Sequence, residues 1–436
     1  MRIAPLILMI LYACNVSSIE IKSWTTNQGS VVMYYNTPEI PMADIRLIFS
    51  AGSVRDGRKH GLSRMANRLL MEGSGDLNSK QFKNRLSETG AQLYVGSLRE
   101  MAFINMRTLT DSKYFDPAVD LLISAVSSPH YSRPEVEKAI GDMLIDISLK
   151  NESPSQIADE AIWEQIYNDH PYSNYPGGKK SSLSNITSSH LLEFHASHYV
   201  AKNATIAIVG DLTEVQAKNL AERISSSLPV GERPPKIQDF TKFKPSNIYI
   251  ETNSDQTHLR IGSIGISRTD KDYFPMIVGN HILGGSSLVS LLFEEIRNKR
   301  GLSYSVYSYF VPTGIKGPFV LGLQTSGKKQ NIALEESMRV LRNFIEKGPS
   351  VESFNLAKKN LVSGFINQID SNRKLIGYIS MMGFYQLPLN YLEMFSKKVE
   401  EVSIADVKDS FQRRIAKDFA IVMVGSKQQE LNQHEK

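Results

Sequence analysis

The stretch His190–His195 contains two histidines and a glutamate spaced almost as in the inverted zinc motif His-x-x-Glu-His. Phe194 occupies the second histidine position, and this matters because two ligands must lie one helical turn apart to share a metal. His195 and His198 could lie on one helix face, but no nearby carboxylate provides a convincing third ligand. We therefore interpret these residues as solvated or capping helix histidines.

A second stretch, residues 322–329, reads Gly-Leu-Gln-Thr-Ser-Gly-Lys-Lys and lies between a strand pattern and a helix pattern. A phosphate-binding loop has this arrangement, but it needs a Ser or Thr where Lys329 stands, because that hydroxyl binds magnesium. The sequence also lacks a dinucleotide-binding glycine fingerprint. We interpret residues 322–329 as an ordinary strand-to-helix turn.

A third stretch, His60–Ser74, reads His-Gly-Leu-Ser-Arg-Met-Ala-Asn-Arg-Leu-Leu-Met-Glu-Gly-Ser. It resembles the signature helix of the pitrilysin/insulinase zinc peptidases, the family that includes mitochondrial processing peptidase. Further matches follow in the family's order at Ser79–Leu93, at His170-Pro171-Tyr172 with residues 176–178, and at Val209–Asp211. The resemblance covers nearly the whole chain after its first 18 residues.

In active members of that family the signature helix reads His-x-x-Glu-His; the histidines hold zinc and the glutamate is the general base. The corresponding positions here are Arg64, Asn67 and Arg68, and the position of the distal carboxylate ligand falls at Asp146. A guanidinium cannot ligate a cation, and an amide is a poor proton acceptor. The resemblance therefore implies a degenerate zinc site with no metal cofactor in this chain. We hypothesise that Arg64 or Arg68 pairs with Asp146 in place of the cation.

The segment Phe293–Val306 resembles the family's C-terminal motif, which carries an Arg and a Tyr seven residues apart. Those residues are Arg297 and Tyr304 here. In the family this pair faces the zinc site across a closed chamber, where Arg holds the substrate backbone and Tyr stabilises the oxyanion. By residue type alone, Arg297 would be a solvated helix residue and Tyr304 a half-buried strand aromatic.

Loss of the zinc ligands with retention of Arg297 and Tyr304 is the pattern of family members that divide the site between two chains. The resemblance thus implies a non-catalytic subunit whose partner is a homologous chain that carries the zinc, with unfolded peptides as substrates. Two alternatives are a purely structural scaffold, as in respiratory complex core subunits, and an autonomous zinc protease. The resemblance thus implies a member of a zinc metalloendopeptidase family that is inactive alone and active only with a zinc-bearing partner subunit.

The composition is that of an ordinary globular protein, since 41% of the 436 residues are hydrophobic and 22% are charged. A net charge of +5 is too small for this length to indicate a nucleic-acid partner. The chain begins with a basic residue and the apolar run Ile3–Ala13, which is typical of a signal peptide. We expect export in a bacterium, to the periplasm or the outer membrane, with Cys14 either removed or lipidated as an anchor.

The elements that would position these residues are interspersed strands and amphipathic helices, which predict an α+β fold. Residues 201–210 recur as residues 416–425, an offset of 215, and residues 67–70 recur as residues 280–283, an offset of 213. Such an internal repeat predicts two copies of one fold. With the resemblance, it implies two tandem homologous α/β-roll domains that form half of a clam-shell. We expect a signal peptide at 1–18, domains at 19–228 and 247–436, and a Pro-rich linker at 229–246.

Overall fold

The computed structural model describes residues 20–240, 242–286, 288–415 and 418–426. The proposed signal peptide, including Cys14, lies outside these described residues. In the described ranges, no helix is both long and apolar enough to cross a bilayer.

The N-terminal half interleaves strands and helices. In chain order they are β1 (Lys22–Thr25), β2 (Val31–Asn36), β3 (Met42–Phe49), α1 (Leu62–Arg68), β4 (Gly73–Ser74), β5 (Leu77–Asn78), α2 (Ser79–Thr89), β6 (Gln92–Ser97), β7 (Ala102–Leu109), α3 (Ser112–Ser127), α4 (Arg133–Asn151), α5 (Pro154–Tyr167), α6 (Lys180–Leu183), α7 (Ser188–His198), β8 (Ala204–Gly210) and α8 (Glu214–Ser227).

The C-terminal half follows a related plan. Its elements are β9 (Asn247–Glu251), β10 (Gln256–Ile264), α9 (Tyr273–Asn280), β11 (Val306–Phe310), β12 (Pro318–Ser326), α10 (Gln330–Lys347), α11 (Val351–Ile366), α12 (Asn372–Tyr385), α13 (Tyr391–Glu401), α14 (Ile404–Arg414) and β13 (Ala420–Gly425). Two π-helical segments, His281–Gly285 and Phe293–Asn298, lie between α9 and β11.

The sheets of the two halves share the order of five strands, and the first sheet has β1 as an additional edge strand. The first sheet is β1-β2-β8-β3-β7-β6 and the second, in the same direction, is β9-β13-β10-β12-β11. In each sheet one pair is parallel, β2 with β8 and β9 with β13, and the other neighbours are antiparallel. The matching order confirms the predicted α+β fold with two homologous domains.

The domains cover each other's sheets with helices. Helix α12 of the C-terminal half packs on β2, β3 and β8, and helix α5 of the N-terminal half packs on β10 and β13. Two apolar clusters therefore contain residues of both domains: Ala207 and Val209 pack with Ile376 and Ile379 in one of them. Strand β8 is buried along its whole length, which explains its run of Ala, Ile and Val.

The interface also buries polar groups. Arg260 on β10 is only 2% exposed and donates from Nε to Asp159 Oδ1 of α5 at 2.6 Å. Glu100, 4% exposed between β6 and β7, accepts hydrogen bonds from the Tyr172 hydroxyl, the Tyr385 hydroxyl and the Gly314 amide. Because Tyr385 and Gly314 belong to the C-terminal half, one buried carboxylate joins the two domains.

The segment 229–246 lacks helix and strand in its described residues, and it is docked on the N-terminal domain. Arg55 Nη2 donates to the Pro235 carbonyl at 2.7 Å, and His170 Nε2 lies 3.1 Å from the Gln238 carbonyl. Phe240 packs partly buried against the cluster formed around α5. These contacts hold the connection between the domains against the protein surface.

Candidate functional site

The N-terminus of α1 is fixed by a buried carboxylate and a pair of glycines. Asp56 Oδ2 accepts from the Gly61 amide at 2.7 Å and Oδ1 accepts from the Ser63 amide at 2.8 Å. Burial raises the pKa of Asp56 to about 6, against the lowering effect of these hydrogen bonds. Gly61 (φ 97°) and Gly178 (φ 86°) approach so closely that a side chain on Gly178 would collide with Gly61. The start of α1 is thus held by the hydrogen bonds to Asp56 and by close backbone contact between Gly61 and Gly178.

Helix α1 directs two arginines toward two aspartates on α4. Arg64 Nη2 and Arg68 Nη1 each lie 3.6 Å from Asp146 Oδ2, and Arg68 Nη2 donates to Asp142 Oδ2 at 2.7 Å. Arg64 and Arg68 share a helix face because they are four residues apart. All four side chains are between 36% and 48% exposed, so the cluster lies at the protein surface. The residues at the positions that the resemblance assigns to zinc ligands therefore take part in an ion-pair cluster.

Asn67 lies on a different face of α1 from the arginines and is 1% exposed. Its amide nitrogen lies 3.2 Å from both the Phe103 carbonyl and the Tyr199 hydroxyl, and can donate to both. Its side chain thus ties α1 to β7 and to the end of α7. A residue that is fully buried and hydrogen-bonded in this way cannot act as a general base toward a substrate.

The donor set at this cluster does not fit a zinc ion. Zinc in proteins takes thiolate, imidazole and carboxylate ligands, and here two permanent cations occupy the space around the one carboxylate at the expected ligand position. Among the described residues, no group of three or more His, Cys, Asp or Glu side chains could hold a metal ion.

Arg297 and Tyr304 are brought together in the C-terminal domain. The Arg297 guanidinium carbon lies 4.4 Å from the centre of the Tyr304 ring and 4.6 Å from that of Phe293, so the cation lies between two aromatic faces. Tyr304 is 75% exposed and lies in the loop before β11. The interpretation of Tyr304 as a half-buried strand aromatic is therefore wrong. Arg297 lies in the π-helical segment Phe293–Asn298.

Within one chain the structure does not join the two groups of predicted site residues. In the described part of the molecule, no hydrogen bond or ion pair connects Arg297 or Tyr304 with Arg64, Arg68 or Asp146. The exposed Tyr304 phenol remains accessible to another molecule. Such a pair can bind a peptide carbonyl by hydrogen bonding, but it offers no nucleophile of its own.

The helix histidines are structural, and one prediction about them needs correction. His195 is 4% exposed, not solvated: its Nε2 lies 2.8 Å from the Val126 carbonyl and its ring stacks on Tyr199. Burial lowers the pKa of His195 and favours the neutral ring. His198 stacks on Phe194, and His190 helps to cap the start of α7, as expected for a capping histidine.

Sequence reasoning missed Asp142, the closest carboxylate partner of Arg68. Its position four residues before Asp146 on a predicted helix was the available signal, because such residues share one helix face. It also missed Glu100, for which the sequence offers no local pattern. Only the tertiary structure shows that this carboxylate is buried between the domains.

Comparisons with known proteins agree on one family. Residues 31–176 match the profile described as insulinase (peptidase family M16), and residues 185–361 match that of the peptidase M16 inactive domain. A crystal structure described as a peptidase M16 inactive domain from Pseudomonas fluorescens is 32% identical, with a TM-score of 0.91. The match covers 94% of this chain and 98% of the chain in that crystal structure.

Two curated relatives cover most of the chain. An uncharacterized zinc protease from Rickettsia felis is 25% identical over 73% of this chain and 77% of its own length. A non-peptidase homolog from Helicobacter pylori is 26% identical over 88% of this chain and 89% of its own length. The names include both a protease and a non-peptidase, so the relatives show a family rather than an activity.

Proposed function

The chain belongs to the peptidase M16 (insulinase) family, and we propose that it is a non-catalytic subunit of a two-chain zinc endopeptidase. In this proposal a homologous partner holds the zinc ion. This chain supplies Arg297 and Tyr304 to the partner's site and encloses unfolded peptides with it. The zinc supplies the activated water when bound to the partner.

The observation that carries the proposal is the ion-pair cluster of α1 and α4. Arg64 and Arg68 occupy the ligand positions implied by the resemblance and contact Asp146, the third such position. Asn67, at the position of the general base, is buried and hydrogen-bonded. A chain built in this way lacks both the metal ligands and the base that zinc hydrolysis requires.

Arg297 and Tyr304 have the chemistry of a site that stabilises a transition state. A guanidinium can donate several hydrogen bonds to peptide carbonyls, and a phenol can donate one to an oxyanion. The Tyr304 ring lies against Arg297 and leaves the phenol exposed. This placement of an exposed phenol beside a guanidinium supports a role toward a substrate that the partner's zinc site hydrolyses.

The test is reconstitution with a homologous chain from the same genome that retains His-x-x-Glu-His, assayed with an unstructured fluorogenic peptide. We expect hydrolysis only when both chains are present. Arg297→Ala or Tyr304→Phe in this chain should lower kcat by about 10²–10³-fold, the usual effect of removing an oxyanion donor. Elemental analysis of the isolated chain should find no stoichiometric zinc.

Matched variants separate this role from a loss of folding. Arg342→Ala removes another exposed arginine, and Tyr249→Phe removes a phenol on β9, at the opposite sheet edge from β11. Both should leave the reconstituted activity unchanged. Full activity of the zinc-bearing chain alone would defeat the proposal, as would one tightly bound zinc per isolated copy of this chain.

The same experiment discriminates the scaffold alternative, which is favoured by the relative named a non-peptidase homolog. A scaffold would bind the homologous chain in size-exclusion chromatography but leave its activity unchanged. An autonomous protease would instead cleave the peptide without a partner.

We further propose that the chain is exported, because a basic residue and the apolar run Ile3–Ala13 begin the sequence. Cell fractionation of the producing bacterium should find the protein in the periplasm or the outer membrane. Mass spectrometry of its N-terminus should show either loss of Cys14 or a lipidated Cys14. An unprocessed N-terminus in the cytoplasm would contradict this proposal.

A further inference from the structure

A cavity of about 600 Å³ opens where the two domains and the linker meet. The N-terminal domain contributes Arg55 and Glu100 to its wall, the linker contributes Arg233 and Lys236, and the C-terminal domain contributes Arg268. The cavity thus has four cationic side chains and one carboxylate, and none of these belongs to the α1 cluster or the Arg297–Tyr304 pair.

Glu100 offsets one of these four positive charges without forming an ion pair with any of the described cations of the cavity. Its two carboxylate oxygens already accept from the Tyr172 hydroxyl at 2.5 Å, the Tyr385 hydroxyl at 2.7 Å and the Gly314 amide at 3.0 Å. In the described part of the chain, none of the four cations forms an ion pair with any carboxylate. The four cations and the one carboxylate therefore leave the cavity with a surplus of three positive charges.

The arginines of the cavity keep donors unused. Among the described residues, Arg55 donates only from Nη2, to Ser50 and Pro235, and Arg268 donates only from Nη1, to Tyr273. The Nε atoms of Arg55 and Arg268 are both buried without a hydrogen-bond partner among the described residues. A buried guanidinium nitrogen without an acceptor costs free energy, and an oxyanion in the cavity would supply acceptors to these guanidinium groups.

The like charges also lie close to one another. Burial lowers the pKa of Arg55, Glu100 opposes that effect, and neighbouring Arg233 lowers the pKa further. Arg55 and Arg233 come from different segments and line the same cavity, and Glu100 only partly offsets their positive charge. Such an arrangement is typical of a site that receives negative charge from a ligand.

We propose that this cavity binds an oxyanion that carries at least two negative charges, as a phosphate ester or a polycarboxylate does. Guanidinium groups suit such ligands because their planar forks match two oxygens at once. The anion binds across both domains and the linker, so it stabilises their observed arrangement. This site is independent of the proposed role in peptide hydrolysis.

The test is isothermal titration calorimetry of the purified chain with pyrophosphate in one arm and citrate in the other. We expect saturable binding with one site per chain, and an increase in Tm with ligand concentration. The arm with the lower Kd identifies whether the ligand is a phosphate or a carboxylate. Absence of saturable binding in both arms would overturn the proposal.

A charge-matched pair of variants tests the location. Arg233→Gln with Lys236→Gln removes two cations from the cavity, and neither side chain makes a hydrogen bond in the described structure. Lys242→Gln with Lys244→Gln removes two exposed cations from the same linker outside the cavity. The first pair should raise Kd by about tenfold or more and the second by less than about twofold. Equal weakening by both pairs would show diffuse attraction instead of a site.

Discussion

Arg64 and Arg68 lie one helical turn apart, where like charges repel, and their repulsion is offset by Asp142 and Asp146 across the groove to α4. Because these side chains are about 40% exposed, each ion pair contributes only about 0–1 kcal/mol to stability. The cluster therefore has little value as a stabilising feature. Its geometry, with two α1 positions facing one carboxylate on α4, is that of a metal site with three ligand positions. Two of those positions carry arginines, which cannot bind a metal ion.

That geometry predicts that zinc binding can be introduced. The triple variant Arg64→His, Arg68→His and Asp146→Glu should retain one zinc ion per chain after dialysis, because two imidazoles and a carboxylate then face one point. Arg85→His with Glu88→His places two histidines three residues apart on exposed α2 as a control for surface binding. Elemental analysis provides the measurement. Zinc retention no higher than in the control would show that α1 and α4 do not form a ligand geometry.

At the scale of elements, periodicity in the sequence located most helices but not all. The pattern predicted α1, α4 and α7 because each has one buried face. It failed for α12, whose sequence is apolar on several sides because the helix lies against the sheet of the other domain. The strand β6 was also missed, since its polar Gln92 and exposed Tyr94 weaken the pattern. Local patterns cannot reveal a partner that is distant in sequence.

The candidate site was likewise only partly predictable from the sequence. Helix spacing places Arg64 and Arg68 on one face, whereas only the family resemblance could select Asp146 about 80 residues later. The contact of Arg297 with Tyr304 depends on an irregular loop, which no periodicity describes. The burial of His195 depends on a carbonyl from another helix, at Val126, and sequence reasoning therefore missed it.

The start of α1 leads to a prediction about pH. Burial raises the pKa of Asp56 to about 6 in the folded chain, above the unfolded value of about 3.9. Its contribution to stability is therefore complete below pH 4 and is lost as the pH rises through 6. The free energy of unfolding of the wild type, relative to Asp56→Asn, should fall by about 2 kcal/mol between pH 4 and pH 7.

Urea unfolding at four pH values between 4 and 7 measures this difference. Asp76→Asn, which removes an exposed carboxylate, is the matched control and should follow the wild type across the range. Parallel curves for the wild type and Asp56→Asn would contradict a raised pKa at the start of α1.

At the scale of the whole molecule, the two domains are homologous in topology but not independent in structure. Each covers the sheet of the other with one helix, α5 or α12, and Glu100 and Arg260 make buried polar bonds across the junction. Separation would expose one face of each sheet and leave Glu100 without two of its donors. The linker also makes noncovalent contacts with the protein surface. The domains are therefore joined by noncovalent contacts in addition to the covalent chain.

The domains should consequently stay associated after the linker is cut. We expect a chain with a specific protease site inserted after Lys244 to elute at its intact size after cleavage, because α5 and α12 remain packed on the opposite sheets.

Residues 20–228 expressed alone should aggregate, since that fragment lacks α12 and exposes an apolar sheet face. Adding Glu100→Gln should weaken the association of the cleaved chain by about 1.5–3 kcal/mol, the range for hydrogen bonds to a charged group. Size-exclusion chromatography with and without urea provides the measurement. Separation of the cleaved wild-type halves in native buffer would mean that the covalent linker, and not the packing of α5 and α12, holds the domains together.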